Sequence, residues 1–526
     1  MEQNQTTASA FNRRQFLAAS TLAGAGLVLA PRTLRAQNAN VPSNRATGEA
    51  INIAVVGCGE QGNALLNSIN GIRKEGQIPF RLIGLCDVWP YQLKANVNRQ
   101  KDPKGANHSD VVGYGRIEEL LEKAKDLHAV FVATPDHWHC RHTVAALKAG
   151  KHVYCEKMMA RTVDEGRQMV LASSYKLGLP GKLLQIGHQR RSNPNYRFAY
   201  NVLLGHYKGI GRITNANGQW NRGVSQSQDI SLSKKLGESL TDEILKASEF
   251  FADADGKPFS RIEQLHRFRN WRWFKKYSNG PISDLGAHQI DIFNWVFGRP
   301  RSVIAAGGND YFAAPSVKDV NGAPYKPREW YDNVMCIFDY VGDGIHPGLP
   351  KDEVARAYYQ VLTTTSSGGG YFENFMGDRG SLKIAENETI IRSYSENDDK
   401  SKRSFAALVA KGCLVPNTAA PAPKKSSAVL DKRTSEAPPE FYLTSALTKL
   451  PHQPHVENFL RVVRNNPDND PKKGETLNCD GLHAFQSEAP IFRINEAVEA
   501  QKRLFYTEDD FALEPGKKTA APAAHG

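Results

Sequence analysis

A glutamate followed directly by a lysine, Glu156-Lys157, closes the segment Ala149-Gly150-Lys151-His152-Val153-Tyr154-Cys155, whose apolar end reads as a buried strand. Both charges leave a strand at its carboxyl end, where open α/β sheets gather their ligands. An ammonium placed there can meet the reactive end of a bound dinucleotide, although the same pair alone would read as a surface ion pair. A second group lies far downstream, in Gly280-Pro281-Ile282-Ser283-Asp284-Leu285-Gly286-Ala287-His288. Asp284 and His288 are four residues apart, so on a helix they share a face, and Asp291 continues that stripe. A carboxylate and an imidazole can act together in this arrangement; a helix cap with a satisfied buried histidine would show the same spacing. Histidine suits proton transfer near neutral pH, its unperturbed pKa being about 6.5.

These groups need elements to position them. Ile51-Asn52-Ile53-Ala54-Val55-Val56 is a short apolar run followed at once by Gly57-Cys58-Gly59-Glu60-Gln61-Gly62 and a helix-like stretch to Ile69. In this strand, glycine turn and helix, Gly57 permits the tight turn, Gly59 lets a pyrophosphate approach the main chain, and Gly62 lets helix pack on strand. The helix N-terminus, with Glu60 and Gln61, then faces the phosphates. A second strand, Phe80 to Cys86, ends at Asp87, 25 residues past Gly62. An acid there accepts hydrogen bonds from ribose hydroxyls and repels a 2′-phosphate, which favours NAD over NADP; a strand-ending turn cap is the plainer alternative. A third apolar run, Ala129 to Ala133, ends in Thr134-Pro135-Asp136-His137-Trp138-His139. Pro135 biases Thr134 towards an extended backbone, which leaves the threonine carbonyl and hydroxyl at the sheet edge. His139 either faces the cofactor or begins the next helix. This strand-helix alternation predicts a parallel sheet.

With these pieces in place, the chain resembles the Gfo/Idh/MocA oxidoreductase family. The matching elements are the glycine fingerprint Gly57 to Gly62, the Thr-Pro-x-x-x-His segment Thr134 to His139, Gly150 to Met158 with its Glu-Lys, and the Asp-x-x-x-His element of Asp284 and His288. Gly377 to Leu382 and His455 to Leu460 also look familial, so the likeness runs from about Ile51 to near Arg503. Two positions depart from the pattern: Met158 stands where proline is usual, predicting a less rigidly set turn, and Ser278-Asn279 replace glycines.

The resemblance implies an α/β fold: an N-terminal Rossmann, doubly wound parallel sheet plus a C-terminal α+β domain with a largely antiparallel sheet. It implies NAD held by Gly57, Gly59, Glu60, Gln61, Gly62, Asp87, Thr134, Pro135, His139, Glu156 and Lys157. It implies catalysis by Lys157, Asp284 and His288 on a sugar or glycoside hydroxyl. His288 would take the hydroxyl proton, Asp284 would hold the ring or bind a second hydroxyl, and Lys157 would stabilise charge developing on the substrate oxygen. Gln189, Arg190, Arg272 and Asp291 are further candidates for substrate contact, because a polyol pocket requires fixed donors beside aromatic faces. A glycosidase or lyase working through transient oxidation would use the same residues. A sugar sensor without turnover is a third reading, against which the retained Lys157, Asp284 and His288 argue.

Asn12-Arg13-Arg14-Gln15-Phe16-Leu17, an apolar stretch to Ala30, and Pro31 to Ala36 read as a twin-arginine signal peptide. The 15 apolar residues fall short of the roughly 20 that span a bilayer, so no stable membrane insertion is expected after cleavage near Ala36. Export in the folded state suits an enzyme that must collect NAD in the cytoplasm, and it predicts a tightly held, internally recycled cofactor. The formal charge of +12 falls to about +9 without residues 1–36 and is spread along the chain, which disfavours a nucleic-acid partner. The seven cysteines show no Cys-x-x-Cys pair, and no metal-ligating spacing is present. Residues 37–48 read as a linker or arm, 49–178 as the nucleotide domain, and 179–512 as the substrate domain, whose free sheet face is expected to pair subunits of a homo-oligomer. Residues 416–439 read as a mobile loop and 513–526 as a tail.

Overall fold

The computed structural model describes residues 50–173, 182–224, 234–247, 252, 253, 255–318, 322, 325, 328–366, 370–386, 388, 391–418 and 438–515. The segments read from sequence as a signal peptide and an arm, most of the expected 416–439 loop and the last residues of the expected tail lie outside them.

Six strands form the first sheet: β1 (Ile51–Val56), β2 (Phe80–Cys86), β3 (Val112–Tyr114), β4 (Ala129–Val132), β5 (His152–Cys155) and β6 (Leu184–Ile186). Their order is β3-β2-β1-β4-β5-β6 and every pairing is parallel. Helices cover both faces, so β1, β4, β5 and β6 are buried throughout, which is why β4 reads as an unbroken apolar run and β1 as one interrupted only by Asn52. The order reverses between β1 and β4, leaving a crevice at their carboxyl ends between the Gly57 and Thr134 turns. Helix α1 (Glu60–Glu75) starts on Gly59 and α2 (Asp136–Lys148) on Pro135, so both N-termini open into that crevice.

The second sheet has ten strands: β7 (Ile213–Asn221), β8 (Pro300–Gly308), β9 (Asn333–Val341), β10 (Val354–Leu362), β11 (Tyr371–Gly377), β12 (Gly380–Ile384), β13 (Arg392–Ser395), β14 (Leu414–Pro416), β15 (Glu440–Leu443) and β16 (Leu504–Phe505). It is antiparallel except where β10 pairs with β7. Val334, Cys336, Phe338 and Tyr340 of β9 point inward, whereas Met335 and Ile337 are exposed, the period-two pattern of a half-covered sheet. The covered face holds α5 (Gly286–Phe297), of whose 12 residues all but Trp295 are buried. The short helix α4 (Pro281–Asp284) precedes α5, and Leu285 between them keeps helical dihedrals, so Asp284 and His288 retain their common face.

The expected boundary at residue 178 is corrected in two ways. Strand β6 lies beyond it, and the chain returns to the first domain near its end. Helix α6 (Gln453–Asn465) buries Val456, Phe459, Leu460, Val462 and Val463 against β1 and α1, and the start of α7 (Gly481–Ala500) adds Ala484 and Phe485 to the opposite face. A smaller core of Leu240, Leu245, Leu265, Trp271, Trp273, Phe274 and Tyr277 lies beside Trp89 and joins the segment around helix α3 (Arg261–Arg269) to the first domain. Among the described residues, no helix is long and apolar enough to cross a membrane. All seven cysteines are buried and free.

Candidate active site

The three glycines of the fingerprint are each required by geometry. Gly57 has φ of +93°, and a Cβ there would come 2.5 Å from the Ala133 carbonyl; a Cβ on Gly62 would overlap the Gly57 carbonyl oxygen. A Cβ on Gly59 would meet nothing within 4 Å, because it would point into an open cleft of about 570 Å³. The unpaired N–H groups of α1 face this space, which fits a pyrophosphate. Asp87 closes the turn on the other side: its two carboxylate oxygens accept from Cys58 N and Trp89 N, each at 2.7 Å, and its side chain lines the cleft. Glu60, Gln61, Thr134, Pro135, Glu156 and Lys157 line it as well.

His139 differs from expectation. Its ring lies at the cleft wall but is 1% exposed, with Nδ1 2.6 Å from Met158 O and Nε2 2.7 Å from Thr134 O, one of which accepts from the single N–H of the neutral ring. Burial lowers its pKa to about 4, against the pull of the two carbonyls. His139 therefore ties the Thr134 turn to the Lys157 turn rather than offering a donor to a ligand. That second turn was expected to be loosely set without proline, yet it is held on both sides. The Lys157–Met158 peptide is cis, Met158 O contacts His139, and Met159 N donates to Glu488 Oε2 at 2.8 Å. Glu156 fits behind Lys157 because Gly187 leaves room: a Cβ on Gly187 would lie 2.7 Å from the Glu156 carboxylate.

Lys157 reaches across to the second domain, where Nζ donates to the backbone carbonyl of Asp284 and, at 3.2 Å, to its Oδ1. Arg272 Nε donates to Asp284 Oδ2 at 2.9 Å. Burial would raise the Asp284 pKa, but Lys157, Arg272 and Arg222 outweigh it and hold the carboxyl well below its usual range. Asp284 is thus a permanent anion that fixes the ammonium, and it does not hold the His288 ring. His288 sits one turn further on, outside the side chains lining the cleft, with its ring 5.5 Å from that of Trp220 and Nδ1 without a partner. Burial, then Lys157 and Arg190, keep its pKa well below the usual value, so the ring is neutral and its protonated form is disfavoured. Beyond it the Trp220 ring stacks on Tyr371 at 4.5 Å, with the Arg222 guanidinium 5.2 Å from the indole.

Of the expected substrate contacts, Arg272 lines the cleft and the other three do not. Arg190 is 1% exposed and paired with Glu373 and Glu386, Gln189 Nε2 donates to Glu386, and Asp291 accepts from Arg191 and Ser487. These are buried braces that hold internal partners, with Gln189 Oε1 left without a hydrogen bond. Sequence reasoning missed Asp136, a buried acid in the cleft with Oδ2 unpartnered. It also missed Trp220, Arg222 and Tyr371, which lie on strand ends without a local motif. The signal for Asp136 was present: an acid directly after Pro135 starts a helix at the crevice.

Residues 51–176 match the profile described as oxidoreductase family, NAD-binding Rossmann fold, and residues 256–346 match the GFO/IDH/MocA C-terminal domain. A glycosyl hydrolase family 109 protein of Solibacter usitatus is 34% identical over 168 residues, 31% of this chain and 36% of that protein. The levoglucosan dehydrogenase of Pseudarthrobacter phenanthrenivorans is 31% identical over 235 residues, 42% of this chain and 48% of that protein. The chain thus spans less than half the length of either relative. The NAD binding oxidoreductase from Klebsiella pneumoniae shares the fold, with a TM-score of 0.58 at 16% identity over 88% of this chain and 100% of the other.

Proposed function

We propose that this chain, which joins both domains of the Gfo/Idh/MocA oxidoreductase family, is an exported enzyme that moves a hydride between a secondary hydroxyl of a sugar or glycoside and a tightly held NAD. The observation that carries this reading is the Lys157 ammonium, locked on Asp284 at the wall of the cleft into which the glycine turn opens. When bound, NAD supplies the hydride acceptor. Gly59 and the α1 N-terminus would hold its phosphates and Asp87 its ribose. Lys157 donates to the substrate oxygen and stabilises negative charge as it develops there. His288, with Nδ1 unengaged, is the proposed acceptor of the hydroxyl proton, a role that needs substrate binding to offset the field of Lys157 and Arg190. Trp220, Tyr371 and Arg222 offer the stacked face and fixed donor that a sugar ring requires. Export rests on Arg13-Arg14 and the apolar stretch behind them. The homo-oligomer reading is supported by Ile304, Met335, Ile337 and Tyr358, exposed together on the outer face of the second sheet.

A second reading, redox-assisted glycoside cleavage, is favoured by Asp136. Burial and the neighbouring Asp284 carboxylate push its pKa up to about 8, so at neutral pH it is an acid able to protonate a leaving group. Protein recovered from its native compartment and unfolded should release NAD in near-equal amount. Given glycosides, it should accumulate keto-sugar and reduced nucleotide, whereas net release of aglycone supports cleavage. Under the cleavage reading Asp136→Asn stops aglycone release while oxidation persists. Lys157→Ala should lower kcat by about 10²–10³ with nucleotide still bound. Recovery of NADP, or of no nucleotide, would overturn the cofactor assignment.

A further inference from the structure

Arg269, the last residue of α3, lines the cofactor cleft from the second domain. It is half-buried, and its side chain makes no hydrogen bond or ion pair among the described residues. Its recorded contacts are a distant approach to the Trp89 ring, 6.0 Å from guanidinium to centroid, and the field of Glu60 at the start of α1. Burial lowers its pKa, the mark of a cation drawn out of water with no anion in contact. Such a group is costly unless an anion completes it. The other second-domain cation on this wall, Arg272, is already committed to Asp284. A pyrophosphate carries two negative charges, whereas the N-terminus of α1 offers roughly half a positive charge, and Glu60 opposes it.

The segment around Arg269 is docked on the first domain rather than hanging free. Trp89 Nε1 donates to Ser239 Oγ at 2.6 Å, and the His137 ring lies 5.1 Å from Tyr277 and 6.5 Å from Trp271. Phe268 and Trp271 flank Arg269 on the same wall of the cleft. We propose that Arg269 is a cofactor-binding residue supplied by the second domain, pairing with the dinucleotide pyrophosphate opposite the glycine turn and holding NAD in place. The inference rests on the NAD reading above and names the residue behind cofactor retention. A dinucleotide bound between the glycine turn and Arg269 leaves only when this contact breaks.

The test compares wild type with Arg269→Ala and Arg269→Lys after stripping nucleotide and reloading with NADH. Arg269→Ala should release NADH about tenfold faster and weaken ADP-ribose to the same degree, because both carry the pyrophosphate. Arg269→Lys should stay within about threefold of wild type. The melting temperature of the nucleotide-free protein should not fall, since the side chain has no hydrogen-bond or ion-pair partner to lose and its removal relieves an uncompensated cation. An unchanged NADH release rate in Arg269→Ala would overturn the inference alone, as would a loss of NADH without loss of ADP-ribose. So would a fall in nucleotide-free stability that accounts for the effect. Failure of wild type to bind NADH would overturn the NAD reading and this inference together.

Discussion

Asp136 is the residue whose surroundings conflict most. It opens α2, where the helix dipole favours negative charge, yet burial and then Asp284 push its pKa up to about 8, with Glu488 adding to the rise and Lys157 and Arg272 opposing it. A carboxyl whose folded-state pKa exceeds its unfolded value of about 4 binds more protons when folded throughout the interval between them. Its contribution to stability is therefore full below about pH 4 and is lost as pH rises towards about 8. Asp136→Asn, which keeps the neutral form at every pH, should melt about 2–4 °C above wild type at pH 8 and together with it at pH 4. Equal melting at pH 8 would mean that Asp136 ionises there without penalty. Lys157 and Asp284 were legible in the sequence because each occupies a motif that fixes its place at a strand or helix end. The roles of Arg190 and Asp291 were not, because their partners Glu373 and Arg191 are 183 and 100 residues away and only the fold brings them together. An arginine beside aromatic residues looks alike in sequence whether it faces a ligand or an internal glutamate.

The glycine turn lets position be separated from ligand space at the scale of one element. Gly62→Ala drives a methyl group into the Gly57 carbonyl and must push α1 off β1. It should lower the melting temperature by several degrees, with or without nucleotide. Gly59→Ala meets no protein atom, so the apo protein should melt like wild type while NADH affinity falls at least tenfold, the methyl group occupying the approach of the phosphates. Calorimetry and NADH titration of both variants check this, and equal effects of the two would mean that the turn is not the nucleotide cradle. Strands β1, β2, β4 and β5 were readable as largely apolar runs bounded by turn residues, whereas β3 and β6, at three residues each, were too short to stand out. The docked segment around α3 was not readable. Its short helices carry few apolar residues, and its small core forms only where distant tryptophans gather beside Trp89.

At the scale of the molecule, the two domains are not consecutive. The segment His455 to Leu460 stands out in the sequence, but nothing local says that its apolar face belongs against β1 and β4, more than 300 residues earlier, so the boundary at 178 cut through the first core. Val456, Phe459, Leu460, Val462 and Val463 are all at most 1% exposed and pack with Ile51, Leu65, Leu66 and Phe131. At about 1.5–3 kcal/mol for each large apolar side chain, this helix contributes roughly 8–15 kcal/mol of burial, as much as the whole net stability of a typical domain. A fragment of residues 50–178, which also lacks β6, should therefore show no cooperative thermal transition and no NADH binding, although it contains the complete fingerprint. A sigmoidal melt with NADH affinity within tenfold of the intact chain would refute this. The same threading links the cofactor cleft to the substrate side. Lys157 on the first domain and Asp284 on the second are bonded directly, and α7 runs from the nucleotide core, through Ala484 and Phe485, to the core beneath the large sheet, through Ile491 and Ile494. Loosening α7, whose Glu488 accepts from Met159 N beside Lys157, should therefore disturb the nucleotide core and shift the Lys157 ammonium in one step.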